Sequence, residues 1–133
     1  MNKFKGNILT AEEKEYRLMK LYKNVEEIDE EIFPYLVKIN KFPFIVTTQS
    51  CCGHKGLSGR QAHIDFRCAL TEKDTIDLFL RPMSNKFEKI NIELMLEANR
   101  LRYCLWLDNN KWREQLNYFI DLLVKVEKMK CKR

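Results

Sequence analysis

Between Gln61 and Cys68 the chain alternates without a break: Ala62, Ile64, Phe66 and Cys68 fall at one parity, His63, Asp65 and Arg67 at the other. A period of two sorts side chains onto opposite faces of an extended strand, and a helix cannot separate these residues that way. The segment therefore predicts a strand with one apolar and one charged face, which belongs in an antiparallel sheet with its core on one side. The pattern recurs downstream. Ile90, Ile92, Leu94 and Leu96 alternate with Lys89, Asn91, Glu93 and Met95, and Leu101, Tyr103, Leu105 and Leu107 alternate with Arg102, Cys104 and Trp106. Together they predict a hairpin, 87–96 with 101–107, turning through Glu97-Ala98-Asn99-Arg100. Phe44 to Thr48, β-branched and aromatic, supplies the remaining strand.

The apolar face needs helices to cover it. Thr10-Ala11-Glu12-Glu13 reads as a capping box, with the Thr10 hydroxyl and the Glu13 carboxylate satisfying exposed amides, and opens a helix over 11–23. Val25, Ile28, Ile32, Tyr35, Leu36 and Ile39 recur at spacings of three and four, predicting a second helix. Pro34 kinks or restarts it, and Asn40-Lys41-Phe42-Pro43 ends it. Thr71 caps a third helix running to about Met83, with Ile76, Phe79, Leu80 and Met83 inward. After Asp108-Asn109-Asn110 a long amphipathic helix uses Trp112, Leu116, Phe119, Ile120 and Leu123. The order α-α-β-β-α-β-β-α predicts an α+β fold: a mainly antiparallel four-stranded sheet with helices packed on one face. The 133 residues suit one domain, 1–133, with no linker or low-complexity stretch.

Composition narrows the setting. With 45% hydrophobic and 32% charged residues, and no apolar run near the roughly 20 residues of a membrane span, the expectation is a soluble chain without a membrane partner. The amino end, Met1-Asn2-Lys3-Phe4-Lys5-Gly6-Asn7, lacks the apolar core of a signal peptide. Five cysteines, an odd count with Cys51 and Cys52 adjacent, suit neither a disulfide scaffold nor secretion, so a reducing cytoplasm is expected. The net charge of +5 is uneven: Glu26, Glu27, Asp29, Glu30 and Glu31 cluster early, and Lys125, Lys128, Lys130, Lys132 and Arg133 cluster late. A basic tail can hold RNA by releasing phosphate counterions, and it can equally complement a helix dipole.

The predicted polar sheet face carries His63, Asp65, Arg67, Lys89, Asn91, Glu93, Arg102, Cys104 and Trp106. Charged residues are buried cheaply only when paired. This face is therefore expected to be wet, filled by a polar ligand, or matched by a second copy in a homo-oligomer.

The chemistry-bearing segment is Thr47-Thr48-Gln49-Ser50-Cys51-Cys52-Gly53-His54, where the strand from Phe44 meets a loop holding Gly53, Gly56 and Gly59. Four readings compete. Cys51 or Cys52 could be a nucleophile with His54 or His63 as base, since a thiolate needs a neighbouring imidazole or cation. Cys51, Cys52, His54, His63 and Cys68 could bind zinc, but adjacent cysteines converge poorly and His63 and Cys68 fall on opposite faces, so no metal is expected. Thr47, Thr48, Ser50 and the amides near Gly53 could bind a polar anion, with His54, Arg60, Arg67 and Arg81 meeting its charge. In the fourth, Cys51 is a small buried hydrophobe and His54 braces the loop. The anion reading is preferred because it requires no special thiol geometry, and it implies no resident cofactor.

Ile28-Asp29, Pro34, Asn40, Thr47, Ser50-Cys51-Cys52-Gly53-His54 and Ala62-His63-Ile64-Asp65-Phe66 together resemble the pattern of a family of small, mostly uncharacterised bacterial, archaeal and phage proteins with a Thr-x-x-Ser-Cys-x-Gly-His motif. More distantly, Thr47 to Gly53 is similar to a Thr-Thr-Ser-Ser-Cys-Ser-Gly stretch of the wybutosine-synthesis methyltransferase family acting on transfer RNA. That family follows its glycine with Arg, where this chain has His54. The first resemblance implies a site at Thr47 to His54 and, through its phage members, a protein that sequesters or degrades a host nucleotide signal. The second implies RNA modification, with Cys51, His54, His63 or Asp65 doing catalytic work. The expected partner is a small anionic or nucleotide-like ligand, held by Thr47, Thr48, Ser50, Cys51, Gly53, His54, Arg60, His63 and Arg67, with Trp106 stacking a base.

Overall fold

The structure, a computed structural model, describes residues 9–23, 30–51, 61–97 and 100–131. Ala98 and Asn99 of the expected turn and the glycine-bearing stretch after Cys51 lie outside the described residues, as does the first part of the expected second helix. Helix α1 spans Ala11–Lys23, and α2 spans Phe33–Asn40. Strands β1 (Ile45–Cys51) and β2 (His63–Cys68) follow. Helix α3, residues 72–86, leads to β3 (Asn91–Glu97), β4 (Arg100–Trp106) and α4 (Trp112–Cys131). The fold is α+β, its four-stranded antiparallel sheet ordered β1-β2-β4-β3. Among the described residues no helix is long and apolar enough to cross a membrane.

Local sequence explains most boundaries. Pro34 stands in the first turn of α2, where its missing N–H costs nothing, so it starts that helix afresh. Thr71 caps α3 by accepting from the Asp74 N–H at 3.1 Å. Within α3, Ile76–Leu80 widens into a π-turn, with the Arg81 N–H reaching the Ile76 carbonyl. Pro82 follows, lacking an N–H and clashing with a normal preceding turn. Thr10 caps α1 through the Glu13 N–H at 3.0 Å. The Glu13 carboxylate does not complete the expected box but pairs with Arg67 and Arg100 on the sheet.

The core lies between the sheet's apolar face and α2, α3 and α4. Phe66 stacks on Tyr103 at 5.3 Å between ring centroids and meets Phe119 of α4 at 5.4 Å, while Phe79 of α3 meets Phe119 at 5.7 Å. Ile64, Phe66, Tyr103, Leu105, Phe79 and Phe119 are fully buried. Beyond the helices' reach, Leu94 and Leu96 at the far end of edge strand β3 are 42% and 69% exposed.

One irregularity sets the faces of β1. The register passes from Thr47 opposite Phe66 to Gln49 opposite Asp65, leaving Thr48 as a bulge. Ile45 and Thr47 therefore share the core side with Cys68 and Phe66. Gln49 and Cys51 fall at register positions opposite Asp65 and His63 on the polar side.

Candidate functional site: the polar face of the sheet

The polar face is built in rows by strand register. At one end stand Cys51, His63, Trp106 and Asn91; next come Gln49, Asp65, Cys104 and Glu93; at the other end Val46 pairs with Arg67, and Met95 with Arg102. Sequence parity placed His63, Asp65, Arg67, Lys89, Asn91, Glu93, Arg102, Cys104 and Trp106 on one face, and the register does the same for all but Lys89, which precedes β3. Asp65 and Arg67, however, are only 4% and 5% exposed. Their burial comes from within the chain. Helix α1 lies against the Arg67 end, and the charges pair there with one another.

Arg67 Nε lies 3.2 Å from Glu13 of α1, and Arg67 Nη2 donates to Glu97 at 3.2 Å. Arg100 donates to Glu13. Arg102 Nη1 meets Glu97 at 2.9 Å, and Arg102 Nε lies 3.6 Å from Asp65. At an effective dielectric near 20, a contact of this length is worth about 5 kcal/mol before desolvation. Burying the ions costs several kcal/mol each, so the network sits near balance and adds little net stability. It is also incomplete: Asp65 Oδ1, Arg67 Nη1, Arg102 Nε and Arg17 Nε are buried without hydrogen-bond partners among the described residues. Thr10, Glu13, Tyr16, Arg17, Arg67 and Arg100 line a cleft of about 570 Å³ at this end.

The opposite end carries the aromatic pair. The His63 ring lies 4.7 Å from Trp106, tilted by 43°. His63 Nδ1 is 3.0 Å from the Gln61 carbonyl. A carbonyl only accepts, so Nδ1 is the donor, and in the neutral ring Nε2 is the acceptor. The Trp106 indole donates to Glu93 at 2.7 Å. Nearby, Gln61, Asn91, Asp108 and Asn109 help line a polar cleft of about 610 Å³. Between the two ends, burial and the hydrogen bond to Asp65 push the Cys104 thiol well above its ordinary range.

The strand-loop segment divides. Thr47 is 7% exposed and engaged by Asn40: Asn40 Nδ2 donates to its hydroxyl at 2.8 Å, and its N–H donates to Asn40 Oδ1 at 3.0 Å. Thr47 thus faces the core side. Thr48 sits at the bulge with its hydroxyl buried and without a hydrogen-bond partner among the described residues. Ser50, half-buried, falls opposite Ile64, and Cys51 falls opposite His63. Cys52, Gly53, His54 and Arg60 lie outside the described residues. Arg81 is exposed on α3, 3.8 Å from Asp77. Cys68 is buried in the core, on the side away from His63, and among the described residues no group of three metal-ligating side chains forms. Lys125 and Lys128 of the basic end are exposed on α4.

Sequence reasoning missed Glu13, Arg17, Glu97 and Arg100 as members of this face. Glu13 was obscured by its capping-box spacing, and Arg100 by its place in the turn. Lys14 was missed too. Its ammonium donates to the carbonyls of Asn40 at 2.9 Å, Phe42 at 2.7 Å and Ile45, tying α1 to the end of α2. Burial lowers its pKa to about 8.

No protein-family model matches the chain, and no curated protein matches it. Among solved structures it is similar to the PH1069 protein from Pyrococcus horikoshii, with 18% identity and a TM-score of 0.53 over 86% of this chain and 90% of that one. At that identity the likeness establishes the fold alone.

Proposed function

We propose that the chain binds a nucleotide-like or other phosphorylated small molecule on the polar sheet face, at the end where β1 runs out beside β2. The observation that carries this reading is the His63–Trp106 pair. It offers an aromatic surface at 4.7 Å spacing, and the Gln61 carbonyl fixes which imidazole nitrogen accepts. The Thr48 bulge supports it too, because bulges re-aim strands beside binding sites. A base stacks on Trp106, and His63 Nε2 accepts from it, with Gln49 on the same face at the register position opposite Asp65. Arg67 lies four residues along β2 on the same face, about 13 Å from His63, where the end of an extended polyphosphate would reach it. Sequestration of a nucleotide signal is the cellular role such binding would serve.

The register pairing of Cys51 with His63 favours a second reading, an RNA-modifying enzyme in which His63 Nε2 takes the thiol proton. Isothermal titration of the full chain against mononucleotides, dinucleotides and a short oligoribonucleotide separates the two. Under the first reading, small nucleotides bind and Trp106→Ala weakens them at least tenfold. Binding of the oligoribonucleotide alone, falling steeply with salt, favours the second. No binding by any of them ends both.

A further inference from the structure

The cleft between α1 and the Arg67 end of the sheet has the makings of an anion seat. Arg17, Arg67 and Arg100 line it, together with Thr10, Tyr16 and the carboxylates Glu12 and Glu13. Arg67 is 5% exposed, yet among the described residues its Nη1 has no hydrogen-bond partner, and neither has the buried Nε of Arg17. A buried guanidinium nitrogen without an acceptor is costly unless something fills the place. Glu13 already shows what suits the site: its carboxylate bridges Arg67 Nε and Arg100 Nη1, the arrangement that two arginines make around a single oxyanion.

We infer that this cleft is a seat for a phosphate-class dianion, with Arg17, Arg67 and Arg100 as its ligands and Glu13 as the chain's own carboxylate occupying part of it. The three arginines share the cleft with Glu12, which is exposed, and Glu13, which pairs with Arg67 and Arg100, while Glu97 takes Arg67 Nη2. An incoming dianion gains the unshared Arg67 Nη1 and Arg17 Nε and competes with Glu13 for Arg67 Nε and Arg100 Nη1, while Glu97 keeps Arg67 Nη2. Guanidinium is the appropriate group, because its planar fork meets two oxygens of one phosphate at once. The seat deepens the proposed function by giving the ligand's phosphate a defined place, and it rests on that reading only for the nucleoside half of the ligand.

The test uses the full chain and inorganic phosphate, then pyrophosphate and a mononucleotide, following the arginine Nε–H signals by NMR. Saturable phosphate binding should shift the Arg67 and Arg17 signals. Arg17→Gln and Arg100→Gln, at partly exposed positions, should each weaken it at least tenfold while thermal unfolding stays cooperative. Glu13→Gln, which removes the competing charge, should tighten it severalfold. Phosphate that moves no arginine signal, or that binds wild type, Arg17→Gln and Arg100→Gln alike, overturns the seat. Trp106→Ala keeps the two proposals apart. If phosphate binds as inferred but nucleotides bind no tighter than phosphate, the seat stands and the nucleotide reading falls. If nucleotides bind and Arg17→Gln and Arg100→Gln leave them unaffected, the seat falls and the stacking site stands.

Discussion

Asn40 and Thr47 hold each other in a two-way clasp: the Asn40 amide nitrogen donates to the Thr47 hydroxyl at 2.8 Å, and the Thr47 N–H returns a bond to Asn40 Oδ1 at 3.0 Å. The same amide nitrogen also donates to the Leu36 carbonyl at 2.8 Å. One buried side chain thereby ends α2 and fixes the start of β1, just before the bulge that sets the faces of the strand.

Asn40→Ala should therefore destabilise the protein by about 2–4 kcal/mol, because it leaves the Thr47 amide and hydroxyl unpaired in the interior. Thr47→Val, which keeps the backbone bond, should cost about 1–2 kcal/mol. Urea unfolding of both variants measures the difference. Equal losses would mean that the clasp does not act through the Thr47 amide.

Removing Arg67 leaves Glu13 and Glu97 facing each other's charge with one partner fewer. Arg67→Met should cost about 3 kcal/mol, and adding Glu13→Gln to it should recover part of that loss. A double-mutant cycle by chemical denaturation gives the coupling. Strict additivity would show that the two side chains do not interact in solution.

The Lys14 amine, lowered by burial to about 8 from an unfolded value of 10.5, makes stability depend on pH in a definite direction. Between those values the unfolded chain binds more protons than the folded one, so folding gains stability as pH rises through that window. Relative to Lys14→Met, wild type should become steadily more stable from about pH 8 to 10.5. The three carbonyls around the ammonium act in the opposite sense, favouring its charged form. A midpoint for Lys14 at or above 10.5, read by NMR of its ε-methylene, would show that they outweigh burial.

Cys104 is buried at 2%, and both burial and Asp65 raise its thiol, so it should be chemically silent in the native state. Iodoacetamide at pH 8 should modify Cys104 and buried Cys68 at least a hundredfold more slowly in native than in urea-unfolded protein. Rapid native labelling of Cys104, located by peptide mass, would mean that the thiol is open to solvent.

Leu96 and Leu105 stand opposite ends of the same sheet face with different surroundings: Leu96 is 69% exposed and Leu105 fully buried. Leu105→Ala should cost about 2–5 kcal/mol and Leu96→Ala less than about 0.5 kcal/mol. A large loss at Leu96, growing with protein concentration, would instead reveal that a second copy covers β3.

Element types and their order were legible because alternation and helical spacing are read from neighbours a few residues apart. Pro34, Thr71 and the clean parity of His63, Asp65 and Arg67 each carried their structural meaning locally. The candidate site was legible in part. Parity gathered His63, Asp65, Arg67, Cys104 and Trp106 on one face, yet Thr47 turned to the interior because Asn40 claims both its amide and its hydroxyl. The Thr48 bulge was invisible, since one extra residue in a strand leaves the local composition unchanged while reversing the parity of everything beyond it.

The sequence by itself determined which residues alternate, where helices open, and that one face of the sheet is charged. Tertiary structure decided that this face is not simply wet. Glu13 lies far along the chain from Arg67 and Arg100, and no period links them. Whether a charge is solvated or paired depends on what packs across from it, and that is settled when α1 is laid against the sheet, not by the residues on either side.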